Sequence, residues 1–388
     1  MKNVIVLAGG IWQYCLVSYL KTVGYYVVVV NPAITDTTKL ADHHILCDVK
    51  DEATIINEIG KFQPAFICSD QSDVTPRLVA RISRHFGLPC NSVEAVELFL
   101  DKLKMFLYAE SQGIDMPCTI PVDGKSKLSC FPSVIKPADS NSSKGFAIVY
   151  DQASVEEAVA NAAQHSKQVI AQSYVPGRQV TLDGFCSGGK HRTLAAASIG
   201  FCREGIINSV RYPFVDPIVG ELIAMNDRYV KNSGLDFGIT HAEYRYNEDK
   251  TVLLEIAARG GGSGTSSILT PWVTGISMYD LLVRSLQGQQ INLNELEVKQ
   301  RHAWLEYFEF PTGVAHGDLE RAMCRVKQIP CVAEFKFNFR LHEKLAPATT
   351  GQQRHGLVML LGDCRDELDE ALTEVYDTLQ SEGWLCKR

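Results

Sequence analysis

Short apolar runs alternate with amphipathic stretches along residues 1–90. The runs are rich in β-branched residues and predict strands over 4–7, 26–30 and 65–68. The stretches that follow them have helical spacing and predict helices over 13–23, 53–59 and 74–86. Because buried strands that alternate with helices pair in parallel beneath two helical layers, this part predicts a doubly wound α/β domain.

The turn after the first strand, Ala8-Gly9-Gly10, raises the question of a dinucleotide site. A GxGxxG run is absent, and Asn31-Pro32 stands where an acidic ribose-binding residue is expected after the second strand. The glycines therefore favour a tight strand-to-helix turn over an NAD site.

The middle of the chain changes in character. A helix is predicted over 93–112, followed by a break at Met116-Pro117. Strands predicted over 133–136 and 145–149 flank a polar loop of small residues, 139–144, which is typical of a hairpin with a flexible tip. Mixed α+β structure follows, with helices predicted over 154–164, 218–233 and 367–381 and a strand over 303–309.

The strongest local pattern lies in two alternating segments, 241–246 and 251–258, around a polar turn. They predict an antiparallel hairpin. Its apolar face would hold Ala242, Tyr244, Tyr246, Val252, Leu254, Ile256 and Ala258. Because paired residues share a face, any register that buries this face puts Glu243 and Glu255 together on the other one. A loop of three or five residues would place them directly opposite, with side-chain bases about 5 Å apart.

Two carboxylates this close repel each other unless a cation lies between them. Magnesium on a nucleotide polyphosphate is the natural cation, since it uses few protein carboxylates and completes its shell with phosphate and water. Arg259 and the run 260–264 follow, and a guanidinium and close-approaching glycine backbone both suit an anion. The combination favours a phosphate site over the alternative, a solvated sheet face with unrelated charges.

Composition narrows the classes of function. The chain has 388 residues, 46% hydrophobic and 21% charged, so it predicts a folded protein of two or three domains. Its net charge of -7 gives no global positive field for nucleic acid or an anionic membrane. No N-terminal apolar run could span a bilayer, and the first residues lead straight into a strand, which predicts a cytoplasmic protein. The 12 cysteines form no CxxC pair, which favours reduced thiols over zinc or disulfides.

Six motifs in order resemble the ATP-grasp superfamily, most closely the carboxylate–amine ligases related to biotin carboxylase and carbamoyl-phosphate synthetase. They lie at residues 101–105, 134–137, 140–145, 172–177, 241–243 and 255–259. The resemblance covers nearly the whole chain. It implies an N-terminal α/β domain over 1–95, followed by an ATP-grasp fold of two α+β subdomains with the nucleotide between them. These would be a central domain with a lid hairpin over 96–180 and a C-terminal domain with a terminal α+β segment over 181–388.

The resemblance also implies roles for particular residues, with ATP and Mg²⁺, or Mn²⁺ in its place, as the cofactors. The residues implied to bind ATP are Lys102, Lys136, Ser143, Gly145, Gln172, Tyr174, Val175 and Gln179. Glu243 and Glu255 would ligate the metal, Arg259 would stabilise an acyl phosphate, and Lys144 would close over the triphosphate with the lid. Two positions depart from the family pattern: Gln179 replaces a common Glu at the ribose, and Ala257 replaces a common Asn near the second magnesium.

The predicted function is that of an ADP-forming ligase, which activates a small-molecule carboxylate as an acyl phosphate and transfers the acyl group to an amine. A purine-biosynthesis-type or carboxylating ATP-grasp enzyme is the alternative. It would require a basic pocket for an extra phosphate, for which Arg203 and Arg211 are available. Gln179 and Ala257 also leave open a nucleotide-binding module without turnover. The resemblance implies a homodimer, and no nucleic-acid or membrane partner is expected.

Overall fold

The computed structural model describes residues 1–139, 144–203, 205–315 and 317–384, without the side chain of Gln352. Within these ranges no helix combines the length and the apolar character that a membrane span requires. Every cysteine that the structure describes is a free thiol.

The N-terminal unit is a parallel sheet with helices on both faces. Its strands, in the order β3-β2-β1-β4, are β1 (Asn3–Leu7), β2 (Tyr26–Asn31), β3 (His43–Leu46) and β4 (Phe66–Cys68). Its helices are α1 (Tyr14–Thr22), α2 (Asp36–Leu40), α3 (Glu52–Gly60) and α4 (Thr75–His85). Alternate strand residues face opposite cores, so Val4 packs with α1 and Ile5 with α3 and α4. The doubly wound prediction is confirmed, although β3 was not predicted.

The predicted helix over 93–112 is wrong, because two helices replace it, α5 (Val93–Glu97) and α6 (Lys102–Ser111). Asp101 has an extended conformation and caps α6 by accepting from the amides of Leu103 and Lys104, while Phe99 enters the core between the helices. The break places Lys102 at the first position of α6.

The second unit is a small antiparallel sheet with the order β5-β8-β6-β7. Its strands are β5 (Thr119–Val122), β6 (Ser133–Pro137), β7 (Ala147–Val149) and β8 (Val169–Ser173), and α7 (Val155–Ala163) packs on one face. The predicted hairpin is β6–β7, in which Ser133 pairs with Val149. Its returning strand begins at Ala147 rather than at residue 145.

The third sheet has eight antiparallel strands in the order β13-β12-β9-β10-β11-β14-β18-β16. They are β9 (Arg178–Ser187), β10 (Lys190–Arg203), β11 (Ile206–Tyr212), β12 (Phe237–Tyr246), β13 (Thr251–Ala257), β14 (His302–Phe308), β16 (Val332–Phe337) and β18 (Gly356–Gly362). A separate ribbon pairs β15 (Gly313–Val314) with β17 (Lys344–Leu345). The remaining helices are α8 (Val219–Asn232), α9 (Thr270–Thr274), α10 (Met278–Leu286), α11 (Leu319–Lys327) and α12 (Arg365–Ser381), with a π-helical turn at Thr265–Leu269 before α9.

The two faces of this sheet have different coverings. Helices α6 and α8 bury one face of β9, β12 and β13. On the opposite face, the π-helical turn and α9 cover β10, β11 and β14. Helices α11 and α12 pack against β14, β16 and β18. The opposite face of β9, β12 and β13 carries the polar residues of the candidate site.

The hairpin predicted around the polar turn is β12–β13, with a four-residue loop over 247–250. A bulge shifts the register between the pairs Glu243–Glu255 and Tyr244–Leu253. Leu253 therefore joins the core with Tyr244, and the prediction that Val252 and Leu254 lie on that face is wrong. The extra residue of the bulge offsets the even loop length, so the two glutamates still face each other.

Candidate functional site

Two facing carboxylates form the centre of the site. Glu243 on β12 pairs directly with Glu255 on β13, and both side chains are partly buried. Burial raises the pKa of Glu243, and the charge of Glu255 raises it further, against the opposing effects of His241, Arg259 and Lys136. The two carboxylates therefore repel each other, and a cation bound between them would relieve this repulsion.

Two lysines from different elements approach these acids. Lys102 Nζ lies 3.4 Å from Glu255 Oε2, and its side chain is only 6% exposed. It can reach this face because β13 is the edge strand of the sheet. Burial and the charge of Lys102 lower the pKa of Lys136, on β6, to about 8, although Glu255 and Glu243 act in the opposite direction. The structure therefore brings together both lysines and both acids that the sequence singled out.

Gln179 lies at the start of β9, beside the acids. Its Nε2 donates to Glu243 Oε2 over 2.9 Å, and its Oε1 accepts from Arg245 Nη2 over 3.0 Å. Arg245 also donates to the carbonyl of Val175 over 3.0 Å, so it connects the acidic pair to the segment after β8. The sequence reasoning missed Arg245, which two-residue alternation places on the same face as Glu243.

The segment implied to read adenine joins the second and third sheets. Gln172 is buried on β8, and its amide donates to Thr119 Oγ1 over 2.8 Å, so this side chain supports the sheet. Tyr174 and Val175 follow β8, with the Tyr174 ring 5.7 Å from the Arg245 guanidinium carbon. Their main-chain contact with adenine stays a prediction.

The implied lid lies only partly within the described ranges. Ser143 and residues 140–142 lie outside them, and Lys144 is exposed. Gly145 has a φ of +69°, and a Cβ there would lie 2.9 Å from the Ala162 Cα. Only glycine suits this position, which fixes the base of the hairpin tip against α7.

His241 precedes Glu243 by two residues and faces the same side. Its Nδ1 lies 2.7 Å from Asp183 Oδ1, and Tyr212 donates its hydroxyl to the other oxygen of that buried carboxylate. Burial lowers the pKa of His241, but the Asp183 charge and hydrogen bond more than offset this, so the pKa is raised. No local pattern indicates this pairing, because it depends on the register of β9 against β12.

Arg259 follows β13 by two residues and is 16% exposed. Its Nε donates to Asp73 Oδ1 over 2.5 Å, and Asp73 belongs to the polar run that follows β4 of the N-terminal unit. The sequence reasoning missed Asp70 and Asp73. Their position at the carboxyl end of a parallel strand, where ligands of open α/β sheets usually bind, was the available signal. One pocket is lined by Asp70, Ser72 and Arg259.

The donor set suits Mg²⁺ bound together with nucleotide phosphates. Glu243 and Glu255 would supply hard oxygen ligands, and no group of three or more His, Cys, Asp or Glu side chains within the described ranges could form a closed protein cage. An ion with two protein carboxylates must complete its shell with phosphate and water, which is how magnesium binds at phosphoryl-transfer sites. When bound, the metal would neutralise phosphate charge.

The fold and these residues define a class: two α+β units meet beside a pair of facing carboxylates that two lysines approach. The chain has the ATP-grasp fold, which confirms the resemblance drawn from its motifs. The profile of the family described as D-ala D-ala ligase C-terminus matches residues 104–197.

Similar proteins are found across most of the chain. The L-amino acid ligase from Bacillus licheniformis superposes with a TM-score of 0.83 at 17% identity, covering 97% of this chain and 98% of that one. A biotin carboxylase from Campylobacter jejuni superposes with a TM-score of 0.72 at 14% identity, covering 98% of this chain and 91% of that one. A formate-dependent phosphoribosylglycinamide formyltransferase from Sulfolobus acidocaldarius is 22% identical over 95% of this chain and 94% of its own length.

Proposed function

We propose that this chain is an ATP-dependent, ADP-forming ligase that joins a carboxylate to an amine. The single observation that carries the proposal is the convergence of Glu243 and Glu255, directly paired on one sheet face, with Lys102 and Lys136 from other elements. Together they provide two oxygen ligands for a metal and two cations for phosphates. ATP would bind between the units 96–180 and 181–388.

The chemistry needs positioning and charge neutralisation rather than a protein nucleophile. A carboxylate oxygen of the substrate attacks the γ-phosphorus, the bond to the β-phosphate oxygen breaks, and ADP leaves. The amine nitrogen then attacks the acyl carbon, inorganic phosphate leaves and the nitrogen loses a proton. Lys102 and Lys136 hold phosphate charge, and Arg259 stabilises charge on the acyl phosphate. Lys144 closes over the triphosphate with the lid, which excludes water from that intermediate, and Ser143 and Gly145 bind ATP.

Amino acids are the first substrates to test. Similarity to an L-amino acid ligase and to D-ala D-ala ligases supports this choice. We expect ADP release to require both a carboxylate and an amine substrate. A panel of amino acid pairs, scored for coupled ADP release, measures this directly.

A purine-type or carboxylating enzyme is the second candidate, and similarity to the formate-dependent enzyme from Sulfolobus acidocaldarius favours it. The arginines considered for its extra phosphate already have acidic partners. Arg211 Nη2 donates to Glu306 Oε2 over 2.6 Å, and Arg203 pairs with Glu309. The Arg211 guanidinium carbon lies 4.1 Å from the centroid of the Trp304 ring. Trp304 packs in the core with α11 and α12, away from Glu243 and Glu255. Phosphoribosyl amines should therefore support less ADP release than amino acids.

The test of the proposal is Glu255→Gln, with Glu248→Gln in the exposed loop of the same hairpin as the matched control. The first change removes one charge of the facing pair and should abolish ADP release while the protein stays folded by circular dichroism. The control should keep wild-type turnover. Equal turnover in both variants would refute the role of the pair.

A nucleotide-binding module without turnover is the remaining alternative, supported by Ala257 and Gln179. Calorimetric binding of ATP without ADP release across the whole substrate panel would favour it. The homodimer that the resemblance implies is tested by the molar mass in solution, measured by light scattering.

A further inference from the structure

A short polar segment of the N-terminal unit, residues 69–73, reaches across to the glycine-rich loop that follows β13. Asp70 is only 2% exposed, and both of its carboxylate oxygens accept hydrogen bonds from distant parts of the chain. The amide of Gly260 donates to Oδ1 over 2.7 Å. The hydroxyls of Ser266 and Tyr279 donate to Oδ2 over 2.7 and 3.1 Å. One buried carboxylate thus fixes both ends of the loop over 260–266.

Glycine at position 260 makes this approach feasible. A Cβ there would lie 2.2 Å from the Ser266 Cβ and 2.8 Å from Asp70 Oδ1. Both contacts are shorter than side chains tolerate, so the loop passes Asp70 only because residue 260 lacks a Cβ.

The same segment holds Arg259, the residue directly before this loop. Asp73 Oδ1 accepts from Arg259 Nε, and Arg259 Nη1 donates to the carbonyl of Gly260 over 2.8 Å. Two anchors on different atoms define the plane of the guanidinium, which a single contact would leave free to rotate.

The segment itself is fixed to the first sheet. Gln13 donates to the carbonyl of Asp70 over 2.6 Å, Ser69 donates its hydroxyl to the carbonyl of Leu7, and Gln71 donates to the carbonyl of Trp12 over 3.2 Å. These contacts tie residues 69–71, and with them Asp70, to the end of β1 and the turn after it. The N-terminal unit therefore offers a rigid support for the loop.

We propose that Asp73 and Asp70 are positioning residues for the ligase reaction: Asp73 orients the Arg259 guanidinium, and Asp70 fixes the glycine-rich loop beside it. This inference rests on the proposed function for its kinetic consequences. Orientation matters because a donor aimed at developing charge is useful only when it is already in place. A small displacement of such a group typically costs on the order of 100-fold in rate.

The kinetic test uses Asp73→Asn, which keeps the shape of the side chain and removes its charge. We expect kcat to fall about 10- to 100-fold, with the KM for ATP changed by less than about twofold. In an Arg259→Lys background, the added loss from Asp73→Asn should shrink to within about twofold, because the residue acts through the guanidinium. A purely structural role would instead give the same loss in both backgrounds.

The matched control is Asp42→Asn, in the N-terminal unit directly before β3. Asp42 also joins one ion pair, with Lys21 Nζ at 2.6 Å, and one main-chain hydrogen bond, from Val27 at 2.8 Å, but it lies outside the site. It should keep wild-type kcat. An unchanged kcat in Asp73→Asn, or equal losses in the two Arg259 backgrounds, overturns the inference while leaving the ligase assignment intact.

A second measurement does not depend on turnover. In Asp70→Asn, amide hydrogen exchange over residues 260–266 should speed up relative to wild type and to Asp42→Asn, since the Gly260 amide and the Ser266 hydroxyl lose a charged acceptor. If the wild-type protein releases no ADP with any substrate, the proposed function fails, and this exchange result alone decides whether Asp70 holds the loop. Unchanged exchange overturns that role.

Discussion

Lys136 gives the sharpest test of how the site binds a nucleotide. Burial and the charge of Lys102 lower its pKa from the ordinary 10.5 to about 8 in the free protein, against the effect of Glu255 and Glu243. Its ammonium would therefore be charged at pH 7 and mostly neutral at pH 9. Bound phosphates favour the charged form and raise this pKa again. Because the pKa differs between the free and bound states, ATP affinity must depend on pH.

The magnitude follows from the protonation of the free protein. If only the charged lysine binds phosphate, the Kd for ATP is nearly constant below the pKa and rises about tenfold for each pH unit above it. Between pH 7 and pH 9 we thus expect the Kd to increase by about tenfold. The rise should end where the pKa of the bound state is reached.

The assay is titration calorimetry with ATP and Mg²⁺ at pH 7, 8 and 9. In Lys136→Arg the new side chain stays protonated between pH 7 and pH 9, so the Kd of this variant for ATP should stay nearly constant over this range. Lys104→Arg, an exposed change on α6 that removes no charge, should retain the wild-type dependence. A flat wild-type profile, or the same slope in Lys136→Arg, would refute the reasoning.

Three further predictions concern the surroundings of the site and the C-terminal core. Gly261→Ala should lower turnover, because its Cβ would lie 2.7 Å from the His241 ring, whereas Gly262→Ala meets nothing within 4 Å and should not. Burial lowers the pKa of His241, but the charge and hydrogen bond of Asp183 outweigh this effect, so the pKa is raised overall. The ion pair therefore stabilises the fold fully below about pH 6.5, the unfolded value, and this stability is lost as pH rises through the folded pKa. The gap in Tm between wild type and His241→Gln should accordingly narrow from pH 5.5 to pH 8.5. Phe335→Ala should lower the free energy of unfolding in urea by about 3–5 kcal/mol, since Phe335 is fully buried beneath α11 and α12.

Local pattern predicted the N-terminal sheet well. Strands β1, β2 and β4 lie within a residue of their predicted bounds, because continuous β-branched runs have few alternatives to a buried parallel strand. Strand β3 was missed, since only Ile45 of its four residues is buried and polar edge residues leave no apolar signal. The single helix predicted over 93–112 failed because a cap at Asp101 decides a helix start, which apolar spacing does not reveal.

In the β12–β13 hairpin, the alternation of side chains along each strand was enough to predict which residues share a face. Glu243 and Glu255 face each other, as side-chain alternation required, and with a loop of four residues it is a bulge that brings them into direct register. Alternation fixes which residues share a face, whereas loop and bulge geometry are decided by packing against neighbouring strands.

By itself, the amino-acid sequence determined the parallel sheet, the acidic hairpin and the order of motifs, since each depends on residues close together along the chain. Only the tertiary structure decided that Asp70 holds the loop after Arg259 and that Asp73 pairs with Arg259 itself. The same is true of the contact between Lys102 and Glu255 and of the pairing of Asp183 with His241. The residues of each pair are 58 to 190 positions apart in the sequence, so their contacts depend on how whole units pack. Local periodicity contains no information about that packing.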